Sequence, residues 1–226
     1  MLKKQKNLIP TPERGNIPAR LARIVEIGDH PSGPGGKFGV KSLVQLYFSL
    51  PTRIIDAPES QFHGKQHMVR TAPLNLSSSD KATLVKDYIK VLDPSFDTSL
   101  EEMSLAPLLN KTIYLTIDNN ETDTGTFTNI MNTMGVPEGM EVGALDTTPW
   151  HHDFDQPDED VWVTKMNDKQ REKIQSALNY EGSGTERMVM KLEAMSSGTQ
   201  PTAQAAGSNE PVSSGASIDL SDDIPF

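Results

Sequence analysis

The chain has 226 residues, no cysteine and a net charge of −10, with 21 Lys and Arg against 31 Asp and Glu. The missing cysteines exclude disulfides, thiolate metal sites and cysteine nucleophiles, and the negative charge disfavours nonspecific adhesion of the whole molecule to nucleic acid or anionic membrane. No run of 18 apolar residues and no signal-peptide pattern occurs, so the sequence predicts a soluble, cytoplasmic protein that contacts no membrane.

The first half of the chain predicts three strands, over residues 18–27, 41–50 and 66–76. The second is the clearest, because Val44, Leu46 and Phe48 alternate with the opposite-facing Tyr47. Pro73 lies inside the third strand, which indicates an edge strand or a bulge.

The rest of the predicted fold combines helices with a hairpin. Helices are predicted over residues 80–92, 99–106 and 167–179, and hairpin strands over 112–118 and 126–131. Three strands, a helix and a two-stranded hairpin outline an OB-fold, which is a five-stranded, partly open barrel. The predicted class is therefore mainly β with helical additions.

Charge is segregated along the chain. Residues 1–70 have a net charge of +6, whereas residues 138–160, here called the acidic belt, carry eight acids and no Lys or Arg. Residues 192–226 carry five acids and no basic residue. The basic first third can attract an anion that the average charge would repel, and the acidic belt is expected to face solvent or a cation.

These changes in composition predict five segments. Residues 196–217 are rich in Ser, Gly, Thr, Ala and Gln, too polar to bury a core, and predict a disordered linker. The predicted segments are a flexible arm at 1–15, an OB-fold core at 16–137, an acidic belt and helical extension packed on the core at 138–195, the linker at 196–217, and an acidic tip at 218–226.

The acidic tip combines charge with apolar residues. Pro225 favours an extended Ile224, so the segment presents Ile224 and Phe226 beside two aspartates, which suits a basic-rimmed apolar pocket on another protein. An Asp-Asp-Ile-Pro-Phe end after a low-complexity linker resembles the single-stranded DNA-binding proteins of bacteria and their phages. The predicted partner-docking residues are Asp219, Asp222, Asp223, Ile224, Pro225 and Phe226.

A second resemblance covers residues 16 to about 180. It rests on the order of the blocks NIPARL at 16–21, DKATLVKD at 80–87, LLNK at 108–111, FTN at 127–129 and PEGM at 137–140. In this order they resemble a tailed-phage family of single-stranded DNA-binding proteins. The resemblance implies an OB-fold that holds single strands during replication or recombination, and recruitment of replication proteins by the tail, in the host cytoplasm.

The residues themselves allow such binding. Sequence-tolerant binding of single strands needs positive charge for phosphates and aromatic rings for bases, with stacking worth roughly 1 to 3 kcal/mol per base. Tyr47 and Tyr114 are the best stacking candidates, because each lies opposite an apolar face. The predicted DNA-binding residues are Arg20, Arg23, Lys37, Phe38, Lys41, Tyr47, Arg53, Lys65, Arg70, Tyr114 and Phe127.

Enzymatic and metal-dependent functions are less favoured. His151, His152 and Asp153 offer metal ligands, but no helical His-Glu-x-x-His spacing occurs, and Pro149 and Pro157 predict an exposed loop. We therefore expect no metal, no cofactor and no catalysis in a monomer or homodimer. The alternatives are a replication adaptor that binds no DNA and a metal-dependent nuclease.

Overall fold

The computed structural model describes residues 10–99, 104–122 and 125–197. The linker from residue 198 onwards and the six predicted partner-docking residues of the tip lie outside the described residues, as do residues 100–103 of the predicted helix at 99–106.

Within the described residues one mostly antiparallel sheet contains seven strands. The strands are β1 (Gly15–Pro31), β2 (Val40–Ile54), β3 (Gln66–Arg70), β4 (Leu74–Asn75), β5 (Thr112–Thr122), β6 (Gly125–Met134) and β7 (Trp150–His152). Their order is β3-β2-β1-β5-β6, with β4 paired to β2 and β7 paired in parallel to β1. The edge strands β3 and β6 come within 8 Å between Cα atoms, but no ladder joins them in the described part, so the sheet is not closed into a barrel.

In the described part of the chain, three helices accompany the sheet. A segment with π-type hydrogen bonding at Leu84–Ile89 continues as Lys90–Leu92, and together they form α1. After a π-type turn at Val161–Lys165 come α2 (Asp168–Gln175) and α3 (Gly184–Ser196). None of the helices in the described ranges combines the length and the hydropathy needed to cross a lipid bilayer.

The inner face of the sheet forms the main core with α1. Ile24, Leu46 and Phe48 are fully buried there, and the rings of Phe48 and Tyr88 stack with centroids 6.0 Å apart. Each such side chain contributes on the order of 1.5–3 kcal/mol through the apolar area it buries. The alternation of β2 produces this face, as its sequence predicted.

The outer face of the sheet is covered by the chain after residue 149. Val25, Ile27 and Tyr47 pack there against Trp162 and Ile174 in a second buried cluster. This C-terminal extension comprises β7, α2, α3 and the turns between them. The sheet is therefore covered on both faces where β1 and β2 pair.

Several element boundaries differ from the predictions. The strand predicted at 66–76 is broken into β3 and β4, because Pro73 has no N–H to donate to a ladder. The helix predicted at 80–92 begins at Leu84, and the helix predicted at 167–179 ends at Gln175. Neither β7 nor α3 was predicted: β7 lies in the acidic belt, where the sequence indicated an exposed loop.

Candidate nucleic-acid interface

Three predicted binding residues are aligned across the outer face. In the strand register Arg23 pairs with Tyr47, and Tyr47 pairs with Arg70, so β1, β2 and β3 each contribute one of them to the same face. A one-residue bulge between Leu21 and Arg23 places Arg23 on this face together with Arg20. Strict alternation would have put these two arginines on opposite faces.

A basic groove lies where α2 meets this outer face. Lys169 and Lys173 are four residues apart on one side of α2, and Arg70 lies opposite them at the end of β3. The cavity has a volume of ≈ 260 Å³ and is lined by Val25, Ile27, Gln45, Arg70, Asn167, Lys169, Gln170 and Lys173. Among the described residues none of its three cations forms an ion pair.

Gln170 fixes α2 to the sheet at the base of the basic groove. Its Nε2 donates to the Tyr47 hydroxyl at 3.0 Å, and its Oε1 accepts from the backbone N–H of Asn167 at 3.0 Å. The Asn167 side chain accepts from the Gln170 N–H in return, which completes a capping box. The Tyr47 ring is consequently only 8% exposed, and the base stacking predicted for it would require α2 to move away.

Lys173 also approaches the end of β1. Burial lowers the pKa of His30, and the positive charge of Lys173 lowers it further, whereas a hydrogen bond to the Ile27 carbonyl acts in the opposite direction. Lys41 pairs with His30 in the β1–β2 ladder and is exposed. Lys41 therefore extends the positive charge of the basic groove toward the β1–β2 loop.

The acidic belt engages two of the predicted arginines. Arg20 donates from Nε to the Gly143 carbonyl at 2.7 Å and from Nη2 to the Val142 carbonyl at 2.9 Å. The Arg23 guanidinium lies 5.5 Å from the centroid of the Trp150 ring, a cation–π contact, and its burial lowers the pKa of Arg23. Both arginines hold the chain after residue 140 against the sheet.

The other predicted cations lie apart from the basic groove or in loops. Arg53 forms an ion pair with Glu13 at 3.5 Å. Lys65 precedes β3, whose first N–H, from Gln66, donates to Asp146 of the acidic belt at 2.8 Å. Lys37 is exposed in the β1–β2 loop and forms no ion pair with any described residue.

The predicted rings are not gathered at one place. Phe38 is 67% exposed in the β1–β2 loop, and Phe127 is 49% exposed in the β5–β6 hairpin. The two rings lie beyond opposite ends of β1. The β1–β2 loop follows Pro31, whereas Gly15 pairs with Ile117 and Phe127 pairs with Asn120, three residues further along β5. Tyr114 is half-buried on β5 beside Met134.

Sequence reasoning missed the α2 contribution. Lys169, Lys173 and Gln170 lie in a helix that was predicted, but no signal placed that helix against β2 and β3. The four-residue spacing of the lysines is the feature that could have marked one basic helix face. A group that could hold a metal ion, Glu26, His151 and Asp153, lies outside this groove.

Comparison of the chain with protein-family models and with curated proteins finds no match, so its function is inferred from the geometry of the site and the sequence patterns.

Proposed function

We propose that this protein binds single-stranded DNA without sequence specificity, using the basic groove between α2 and the outer face of β1–β3. The observation that carries the proposal is the convergence of Arg70, Lys169 and Lys173, three cations from two distant parts of the chain, without an ion-pair partner among the described residues. A phosphate backbone would supply the missing counter-charges.

The chemistry of the groove favours a phosphate backbone over a neutral ligand. Binding to phosphates gains free energy by releasing the counterions condensed on the strand, and no internal ion pair has to be broken first. The amides of Gln45 and Asn167 add hydrogen-bonding groups that read no particular base. The ring of Phe38, exposed in the β1–β2 loop, is a candidate for stacking.

The fold proposed with this function is an OB-fold, a partly open five-stranded barrel. Its support is the order β3-β2-β1-β5-β6, the position of α1 between β4 and β5, and the approach of the edges β3 and β6. OB-folds bind oligonucleotides on the face of their second and third strands and in the loops after their first and fourth strands. Here Arg70 ends β3, Phe38 lies in the β1–β2 loop, and Phe127 lies on β6 two residues after its start.

The biological role proposed is protection of single strands during phage replication or recombination. It is supported by the sequence resemblance and by the Asp-Asp-Ile-Pro-Phe tip, through which replication proteins would be recruited. An adaptor that uses only the tip would not need the groove cations.

The test compares two charge-matched double variants of the full chain. K169A/K173A removes two groove lysines, and K81A/K86A removes two exposed lysines, one just before α1 and one within it, so each changes the net charge from −10 to −12. Affinity for fluorescent oligo-dT and for a duplex of equal length is measured over a salt series. We expect wild type to bind oligo-dT more tightly than the duplex. In K169A/K173A, the slope of the logarithm of affinity against the logarithm of salt concentration should be smaller by about 1.4, which is about 0.7 for each phosphate that the variant no longer neutralises.

Equal weakening by both double variants would contradict the groove assignment. A wild-type chain that captures replication proteins but binds no oligo-dT would instead identify an adaptor. Release of nucleotides after addition of a divalent metal would identify a nuclease.

A further inference from the structure

Three potential metal ligands meet at the edge of β1 that pairs with β5, beyond the point where the β5 ladder ends at Arg20. Glu26 lies on β1, His151 lies on β7, and Asp153 follows β7 directly. One donor atom from each lies within 4.8 Å of the other two, and His151 Nε2 is 2.9 Å from Glu26 Oε1. The parallel pairing of β7 with β1, in which His151 is opposite Ile24, brings them together across 125 residues of sequence.

This group carries more negative charge than the protein balances. The side chains of His151 and Glu26 are only 8% and 12% exposed. Within the described ranges no Lys or Arg forms an ion pair with Glu26 or Asp153, and the acidic belt contains no Lys or Arg. Two carboxylates beside one imidazole are costly in such a partly buried place unless a cation joins them.

A simple ion pair between His151 and Glu26 accounts for only part of the arrangement. Asp153 is also held in position, because its Oδ1 accepts the N–H groups of Asp155 at 2.9 Å and of Gln156 at 2.8 Å. The second oxygen of Glu26 accepts the N–H of Phe154 at 3.2 Å. Backbone donors thus orient both carboxylates before any ion arrives, as outer-shell partners do in metal sites.

We propose that Glu26, His151 and Asp153 bind one Zn²⁺ ion. A mixed set of one imidazole nitrogen and two carboxylate oxygens suits zinc, which takes nitrogen and oxygen ligands at about 2.0–2.2 Å and accepts water as a fourth ligand. Tetrahedral ligands at such bond lengths stand about 3.3 Å apart. To hold the ion, the His151–Glu26 contact of 2.9 Å has to widen by a few tenths of an ångström, and the donor pairs of the group, which lie within 4.8 Å, have to close by at most about 1.5 Å.

The ion would fasten the C-terminal extension to the sheet. Only three residue pairs join β7 to β1, although α2, which forms one wall of the basic groove, follows β7 in the chain. Zinc that binds the folded chain but not the unfolded chain stabilises this attachment by mass action. The site revises the expectation from sequence that no metal binds, and it does not depend on DNA binding.

The test measures zinc binding by the full chain. Wild type, E26Q, D153N and a control variant, H63N, are stripped with a chelator and titrated with Zn²⁺ by calorimetry, and bound zinc is counted after dialysis. Both glutamine and asparagine retain a carbonyl oxygen that can accept the backbone hydrogen bonds, so these variants are expected to fold. His63 is an exposed histidine of the β2–β3 loop and lies outside the site.

We expect one Zn²⁺ per wild-type chain and a higher melting temperature with zinc. E26Q and D153N should each bind Zn²⁺ at least about tenfold more weakly than wild type, because the loss of even an outer-shell partner lowers metal affinity by about that factor. H63N should bind Zn²⁺ with the affinity of wild type. Failure of wild type to retain zinc would overturn the site, as would equal affinity in E26Q, D153N and H63N. Circular dichroism of the two carboxamide variants distinguishes a loss of ligation from a loss of fold.

Discussion

His67 is a buried titratable group near the start of β3. It is 7% exposed and lies opposite Leu50 in the β2–β3 ladder. Burial lowers its pKa below the ordinary value of 6.5, and the positive charge of Arg53 lowers it further. The folded protein therefore favours the neutral imidazole at this position.

The lowered pKa of His67 predicts a loss of stability in mild acid. As the pH falls below 6.5, the unfolded chain takes up a proton at His67 before the folded chain does, so the free energy of unfolding decreases until the folded-state pKa is passed. We expect H67Q to lose less stability than wild type when urea unfolding is compared at neutral pH and at about pH 5. His30, whose pKa is also lowered, retains part of the pH dependence.

H63N is the control for this comparison, because its histidine is exposed and pairs with Asp56. An H67Q protein with the same pH dependence as wild type would show that His67 is protonated in the folded state as readily as in the unfolded one.

At the scale of elements, the first turn of α3 is attached to the chain just after β7. The Ser183 side chain caps the helix by accepting the N–H of Glu186, and the Thr185 hydroxyl donates to the Phe154 carbonyl at 2.7 Å. Gly184 lies between these two residues, and a Cβ there would be only 1.8 Å from the backbone oxygen of Asp155. Close approach of two backbones, rather than a special φ angle, explains the glycine.

Replacing Gly184 should therefore release α3 from the turn at Asp155. We expect G184A to destabilise the protein by about 1–3 kcal/mol or more, because the backbone atom it meets cannot rotate away. The matched control is G135A, after β6, where no heavy atom lies within 4 Å of the added carbon, and its effect should stay within about 0.5 kcal/mol. Urea unfolding of the two variants measures the difference, and equal midpoints would refute the tight packing.

Local patterns predicted the elements that depend on local chemistry. The alternation of β2 and the helical segment after Asn167 were visible in the sequence, since the first follows a two-residue period and the second begins with a capping residue. The short strand β7 was not visible, because three residues show no period and its pairing with β1 is entirely long-range.

The candidate site could be predicted only in part for the same reason. Arg70 was identified from its strand, but its neighbours Lys169 and Lys173 come from a helix about 100 residues away. The bulge that brings Arg20 and Arg23 to one face could not be predicted, because strict alternation assigns these two residues to opposite faces. Tyr47 was placed on the correct face, but the packing of the predicted helix α2 over it was not predicted.

At the scale of the whole molecule, positive and negative regions contact each other. The acidic belt lies over Arg20 and Arg23, and the described cations without ion pairs include those of the basic groove. A further acidic segment, residues 218–226, follows a predicted linker whose span is roughly 25 to 30 Å for a flexible chain of about 25 residues. We expect that segment to compete with DNA for the groove.

Deletion of residues 218–226 separates this competition from partner docking. The truncated chain loses three aspartates, so its net charge changes from −10 to −7, and we expect its affinity for oligo-dT to stay equal or rise, most clearly at low salt. A second variant carries the same nine residues in permuted order. It retains the charge and should bind oligo-dT like wild type, but it lacks the apolar pattern of Ile224 and Phe226 that a partner pocket would recognise.

Pull-down of replication proteins from a host extract measures docking by all three chains. Only wild type should capture them, because capture depends on residue order, whereas DNA competition depends on charge. Capture by the permuted chain would mean that the acidic segment acts by charge alone, and capture by the truncated chain would place the docking surface elsewhere in the protein.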